Sequence, residues 1–128
     1  MTDIESTVFN TVVNDLRAKF PGISVYDQMV ETPERFPSVS LVEDDNAEIA
    51  ENMTLDRLPE TACNLMYTAN AYSNLQTGKK SQAKAIMDTI DTTMHSMGFA
   101  RIMRSQLPNL DRTIYRITAR YTKTYQTF

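Results

Sequence analysis

A chain of 128 residues, 41% hydrophobic and 23% charged, has the size and make-up of one globular domain that buries about two-thirds of its unfolded surface. Its net charge of −3 argues against a whole-chain electrostatic nucleic-acid binder, and its lone cysteine, Cys63, excludes an intrachain disulfide. No apolar run approaches the ~20 residues of a membrane span, and the acidic start MTDIESTVFN lacks the basic and apolar segments of a signal peptide, so the expectation is synthesis in a cytoplasm.

Asp3 to Phe20 reads as a first helix. Ile4, Val8, Val12 and Leu16 recur at every fourth position, Phe9 and Val13 widen the stripe, and Pro21-Gly22 stops it. Thr2 or Asp3 is expected to cap its start. Ile23 to Val30 and Phe36 to Glu43 read as strands joined by a short connection, which predicts a hairpin with Pro37 at a strand beginning or edge. Residues 44–58 show neither helical nor strand period and are rich in acids, so they are expected to form a mobile loop. Glu60 to Asn74 returns to period two, with Leu65, Tyr67, Ala69 and Ala71 on one face and Met66, Thr68, Asn70 and Tyr72 on the other.

Residues 75–80 link to the second helix. Ala83, Ile86, Met87, Ile90, Met94 and Met97 form its apolar face; Ser81 is placed to cap it and Gly98 to end it in a left-handed turn. Phe99 to Leu107 is a strand, residues 108–111 a turn, and Arg112 to Tyr125 a long alternating strand. Its Tyr115, Ile117, Ala119 and Tyr121 face one way, and Arg116, Thr118, Arg120 and Thr122 the other. The order α-β-β-loop-β-α-β-β predicts a single α+β domain over residues 1–128, with two helices on one mixed, mostly antiparallel sheet. The predicted core includes Val8, Val12, Leu16, Ile86, Ile90, Met94, Ile117 and Tyr121.

The residues carry little catalytic chemistry. His95 is the sole histidine and lies near a helix end, and Cys63 has no visible partner in the sequence. There is no CxxC, no HExxH and no glycine-rich phosphate loop. Asp44, Asp45 and Glu48 lack the spacing of a calcium loop, and a solvated acidic stretch is the plainer reading. Arg116 and Arg120, with Arg101, Arg104, Arg112 and Lys123 nearby, form a basic end, but Tyr115 and Tyr121 fall on the opposite face and give those arginines no stacking platform. Composition and spacing favour an assembly or adaptor protein over an enzyme, with no cofactor and no metal. A metal-dependent hydrolase using the acidic stretch and a single-strand nucleic-acid binder using the basic hairpin are the other readings.

The segment AKAIMDTIDTTMHSMGFARIMRSQLPNLDRTIYRITARYTKTY, residues 83–125, resembles the C-terminal half of tail terminator or tail completion proteins of long-tailed bacteriophages and prophages. The pieces that carry the resemblance are the helix ending in MGF, the turn PNLD and the strand TIYRITARY; ERFPSVSLVEDDN and YTANAYSN also resemble this family. Neighbouring head–tail connector or neck proteins have a similar pattern. The resemblance implies a hexameric ring that caps the tail tube, ends its polymerisation and offers the head-attachment surface. It implies as partners other copies of the chain, the tail tube protein and a head completion or connector protein, with DNA only passing through the lumen and no membrane. The implied location is the head-proximal end of the virion tail, after assembly in the host cytoplasm.

A closed ring uses two different patches on each subunit. Residues 43–60 hold seven acids and one base, net −6, and residues 99–128 hold six bases and one acid, net +5. This asymmetry, with no family motif behind it, predicts that Glu43, Asp44, Asp45 and Glu48 of one subunit approach Arg116 and Arg120 of the next.

Overall fold

Seven elements follow one another along the chain: α1 (Glu5–Lys19), β1 (Ser24–Tyr26), β2 (Ser38–Glu48), β3 (Ala62–Ser73), α2 (Lys79–Ser96), β4 (Ala100–Leu107) and β5 (Tyr115–Gln126). The computed structural model describes residues 4–28, 33, 35–48, 62–107 and 113–126. The strands form one mixed sheet in the order β1-β2-β3-β5-β4. The fold is α+β, with α2 laid on β3 and β5 and α1 packed beside α2.

The core is the product of two periodicities. Along α2, Ala83, Ile86, Met87, Ile90 and Met94 are fully buried, and along β3 and β5 the alternate residues Leu65, Tyr67, Ala69, Ala71, Ile117, Ala119 and Tyr121 meet them. Val8, Val12 and Leu16 of α1 join the same cluster, as do Val39 and Leu41 of β2. Small Ala69, Ala71 and Ala119 on the sheet leave room for the long side chains of α2. Tyr67 and Phe99 close one end of the core edge-to-face, with ring centroids 5.3 Å apart.

Polar contacts then fix the layers. Thr93 on α2 donates from Oγ1 to Asp15 Oδ2 of α1 at 2.7 Å, and Ser73 at the end of β3 donates to Gln82 Oε1 at 2.5 Å. At the far end of α2, Lys123 Nζ donates to the Met97 carbonyl at 2.5 Å, where a cation meets the negative end of the helix. Gly98 lies between them with φ +88°; a Cβ there would sit 3.3 Å from Lys123 Nζ and in a backbone region that side chains disfavour. Its turn carries the chain from α2 straight into β4.

Four features differ from the sequence reading. β1 is only three residues long and runs parallel to β2, pairing Ser24 with Ser38 and Tyr26 with Ser40, so the expected hairpin does not form. The connection spanning residues 27–37 is long enough to return the chain for a same-direction strand, which a tight turn is not. Pro37 stands just before β2, as expected, and its carbonyl accepts from the Ser24 amide at 3.3 Å. Residues 44–48 are strand: β2 continues to Glu48 and pairs with β3 across a bulge at Asp44, and the rest of the predicted loop, residues 49–58, lies outside the described residues. A bulge inserts one residue and breaks the period, which hid this strand from a search for strict alternation.

The remaining difference is at the start of α2. The helix begins at Lys79 after Gly78, which takes φ +85° as its N-cap, so Ser81 lies inside the first turn and caps nothing. The cap of α1 is Ile4, without a side-chain hydrogen bond; Thr2 and Asp3 lie outside the described residues, as do residues 108–111 of the predicted turn and Arg112 at the predicted start of the last strand.

Ile90 has no exposed surface in the centre of this core. Ile90→Ala is expected to destabilise the domain by ~2–5 kcal/mol, the range for a large-to-small core change. The check is the urea midpoint, which falls if this face of α2 is sealed and stays put if it is not.

Candidate assembly surface

The face of the sheet away from the helices is built from alternate residues of four strands, and the register sets them in rows. Ser38, Tyr72 and Arg116 form one row with Leu107; Ser40, Asn70 and Thr118 the next; Val42, Thr68 and Arg120 a third with Met103. Although they point away from the helices, Ser38, Ser40, Asn70, Tyr72 and Thr118 are buried.

A buried polar row is tolerable only when its groups find partners. Asn70 donates from Nδ2 to Ser40 Oγ at 3.3 Å, and its Oδ1 accepts from Arg116 Nε at 3.1 Å. The Arg116 guanidinium also stands 5.6 Å from the centre of the Tyr72 ring, a cation–π contact. Arg116 is therefore half-buried and engaged by its own sheet, whereas Arg120, two rows on, is exposed. Asp44, the bulged residue of β2, accepts a hydrogen bond from Thr68 Oγ1 and is exposed, as is Asp45 beside it.

The predicted interface residues thus fall into two sets. Asp44 and Asp45 lie at the bulge of β2, near one side of the sheet, while Arg116 and Arg120 lie on β5, two strands away. Glu43 pairs in register with Tyr67 on the helix side, and Glu48 is placed opposite Cys63 near the end of β2. The six-base cluster expected from the sequence divides between the two faces. Arg101 and Arg104 turn to the helix side, where Arg101 Nη1 lies 3.2 Å from Asp91 Oδ1 and Arg104 Nη1 2.7 Å from Asp88 Oδ1. Lys123 also turns that way, to the end of α2, and Arg112 lies outside the described residues.

Asp91 gathers three groups. Besides Arg101, it accepts from the Tyr121 hydroxyl at 3.1 Å and stands 3.3 Å from His95 Nδ1. Burial and the Asp91 carboxylate push the Tyr121 phenol well above its ordinary value, so it stays a donor across the physiological range. The cluster ties α2 to β4 and β5. Sequence reasoning missed it, although Asp88 and Asp91 flank the apolar stripe of α2 and Arg101 and Arg104 repeat along β4.

Among the described residues, no group of three His, Cys, Asp or Glu side chains could hold a metal ion. No helix is long and apolar enough to cross a membrane. What the outer face offers is a surface for contact: a stiff polar centre, exposed carboxylates toward one side, an exposed guanidinium toward the other.

No protein-family model and no curated protein matches the sequence. Among solved structures, the fold is similar to a chain described as "Virion of native gene transfer agent (GTA) particle", with TM-score 0.70 and 14% identity over 97% of this chain and 95% of that one. A second similarity, to the bacteriophage SPP1 gp17 protein, has TM-score 0.44 and 10% identity over 97% and 94% of the two chains. The first establishes a shared fold across nearly the whole length of both chains; the second is too distant to carry an argument.

The two arginines are expected to respond differently to truncation. Arg116→Ala removes the hydrogen bond to Asn70 Oδ1 and the cation–π contact with Tyr72 and should lower stability by ~1–3 kcal/mol, whereas Arg120→Ala should change it by no more than ~0.5 kcal/mol. Denaturant unfolding of both variants checks this; equal losses would contradict the engaged and free roles given to them.

Proposed function

We propose that this chain is a structural protein of a phage-like virion, a tail terminator that forms a ring on the end of the tail tube, stops tube growth and offers the surface where the head attaches. The observation that carries the reading is the fold shared end to end with a chain of a gene transfer agent virion. The family resemblance of residues 83–125 points the same way. The work done is association, without chemical turnover, and the partners are other copies of the chain, the tail tube protein and a head completion or connector protein. A hexamer is the ring size that the resemblance suggests.

In this reading the ring closes head to tail, with the acids of β2 (Glu43, Asp44, Asp45 and Glu48) toward the arginines of the next subunit's β5, Arg116 and Arg120. Arg120 and Asp45 are the members best suited to reach across. Both are exposed, and among the described residues neither has an intrasubunit contact of the kind that occupies Arg116 and Asp44. Such pairs contribute ~0–1 kcal/mol each when solvated, so they steer and register the contact, and apolar burial must supply most of the affinity.

Charge reversal separates this contact from an internal one. Arg120→Glu should abolish the assembled species in sedimentation velocity while the subunit melts as before, and adding Asp45→Lys should restore part of the assembly. Assembly that survives Arg120→Glu at low salt would exclude this interface. A large loss of subunit stability would make Arg120 an internal contact instead.

A further inference from the structure

β4 ends the sheet. Among the described residues it pairs with β5 alone, and six of its eight residues are exposed, the other two half-buried. An open edge of this kind presents a row of amides and carbonyls that accepts another strand. Two of the three large apolar residues exposed among those described also lie on it, Ile102 at 54% and Met103 at 36%.

We propose that a second copy of this chain occupies the edge: β4 pairs antiparallel with β4 of the other copy, across a two-fold axis that passes beside Ser105 and normal to the sheet. The contact goes beyond the ring reading and does not depend on it. A two-fold joint uses one patch twice and closes at two copies, whereas a ring needs two different patches. A strand that pairs with itself must match its own reverse, and the run Met103–Leu107 does. Met103 and Leu107 are large and apolar, Arg104 and Gln106 long and polar, and Ser105 between them is small. Pairing centred on Ser105 sets Met103 opposite Leu107 of the other copy, twice, and Arg104 opposite Gln106, twice. An axis normal to the sheet keeps each face on its own side. Met103, Ser105 and Leu107, in register with Arg120, Thr118 and Arg116, meet on the face away from the helices; Arg104 and Gln106, in register with Ala119 and Ile117, meet on the helix side.

Charge and backbone select this register over its neighbours. Arg104 is balanced within its own subunit by Asp88, 2.7 Å away, and Gln106 brings no second charge against it. A pairing centred on Arg104 would set two guanidiniums directly opposite one another, which is destabilising. One centred on Met103 would run through the bulge between Arg101 and Met103, where the extra residue interrupts the ladder. From Met103 to Leu107, by contrast, β4 follows β5 residue for residue, so its outer edge is regular over that run. The two Met103–Leu107 pairs supply apolar burial, and an exposed Ile102 flanks the joint at each end. A joint of this length is small beside a standard interface of ~1,600 Å², so the dimer exchanges with the monomer and its population follows concentration.

Sedimentation equilibrium of the whole chain from about 10 µM to about 1 mM covers the range in which a contact of this size comes apart. The expected result is a monomer–dimer equilibrium whose Kd rises about tenfold or more in Met103→Lys, while that variant melts like the wild type because the side chain it replaces is exposed. Cross-linking reads the register. In a Cys63→Ser background, Ser105→Cys places one thiol per chain beside the axis, and a short bis-maleimide should join the chains in pairs. Lys84→Cys, exposed on α2, should give no pairs under the same conditions. A chain with no dimer at the highest concentration would overturn the proposal, and so would a dimer that Met103→Lys leaves as tight as before. Pairs formed equally through Lys84→Cys would overturn the β4 joint. Rings in which Ser105→Cys does not cross-link would overturn this contact and leave the ring reading standing; two-fold dimers that never go on to form rings would support the contact and count against the ring.

Discussion

Ile86, Met87, Ile90 and Met94 are sealed between α2 and the strands β3 and β5, and the rest of the molecule is arranged around that contact. Each such side chain contributes about 1.5–3 kcal/mol on burial, whereas the solvated ion pairs Arg101–Asp91 and Arg104–Asp88 contribute ~0–1 kcal/mol each. Packing therefore decides where α2 lies, and the ion pairs only set how β4 is held beside it. The same contact requires small residues on the sheet, which is why Ala69, Ala71 and Ala119 occupy its middle. It also requires a sharp exit at Gly98, which delivers the chain to the edge strand β4.

With one face of the sheet committed to the helices, the other face is left to carry contacts. Its centre is not a simple solvated surface. Ser40, Asn70 and Arg116 are bonded in series across three strands, and Tyr72 lies under the guanidinium. A hydrogen-bonded series of this kind is stiff, because breaking one of its bonds costs the desolvation of the groups it joins. Stiffness there presents the exposed charges at the two sides, Asp45 and Arg120, at a fixed separation. A subunit that must repeat around a closed ring needs such constancy, since a small error in the angle between patches is multiplied by the number of copies.

Much of this was legible before any coordinates. The stripes of both helices, the faces of β3 and β5 and the left-handed turn at Gly98 all follow from period and residue type, and the residues singled out as core are buried. The misreadings share a cause: local signals do not report pairing. Whether β1 runs with or against β2 depends on the path of residues 27–37, which no short window contains. The bulge at Asp44 shifted the alternation and disguised strand as acidic loop. The basic cluster looked continuous in sequence, yet the pleat sends Arg101, Arg104 and Lys123 to one side and Arg116 and Arg120 to the other. Parity could have separated Arg116 and Arg120 from Lys123. The split along β4 depends on a bulge at Ile102 that the sequence does not announce.

The central claim is that the chain acts at the end of a tube by forming a ring there. Electron microscopy of tail tubes grown from their tube protein, with and without this chain, tests it most directly. The account predicts a single ring-shaped density at one end of each tube and a length that no longer increases when more tube protein is supplied. Binding along the tube wall, or tubes that keep growing past the bound protein, would contradict it.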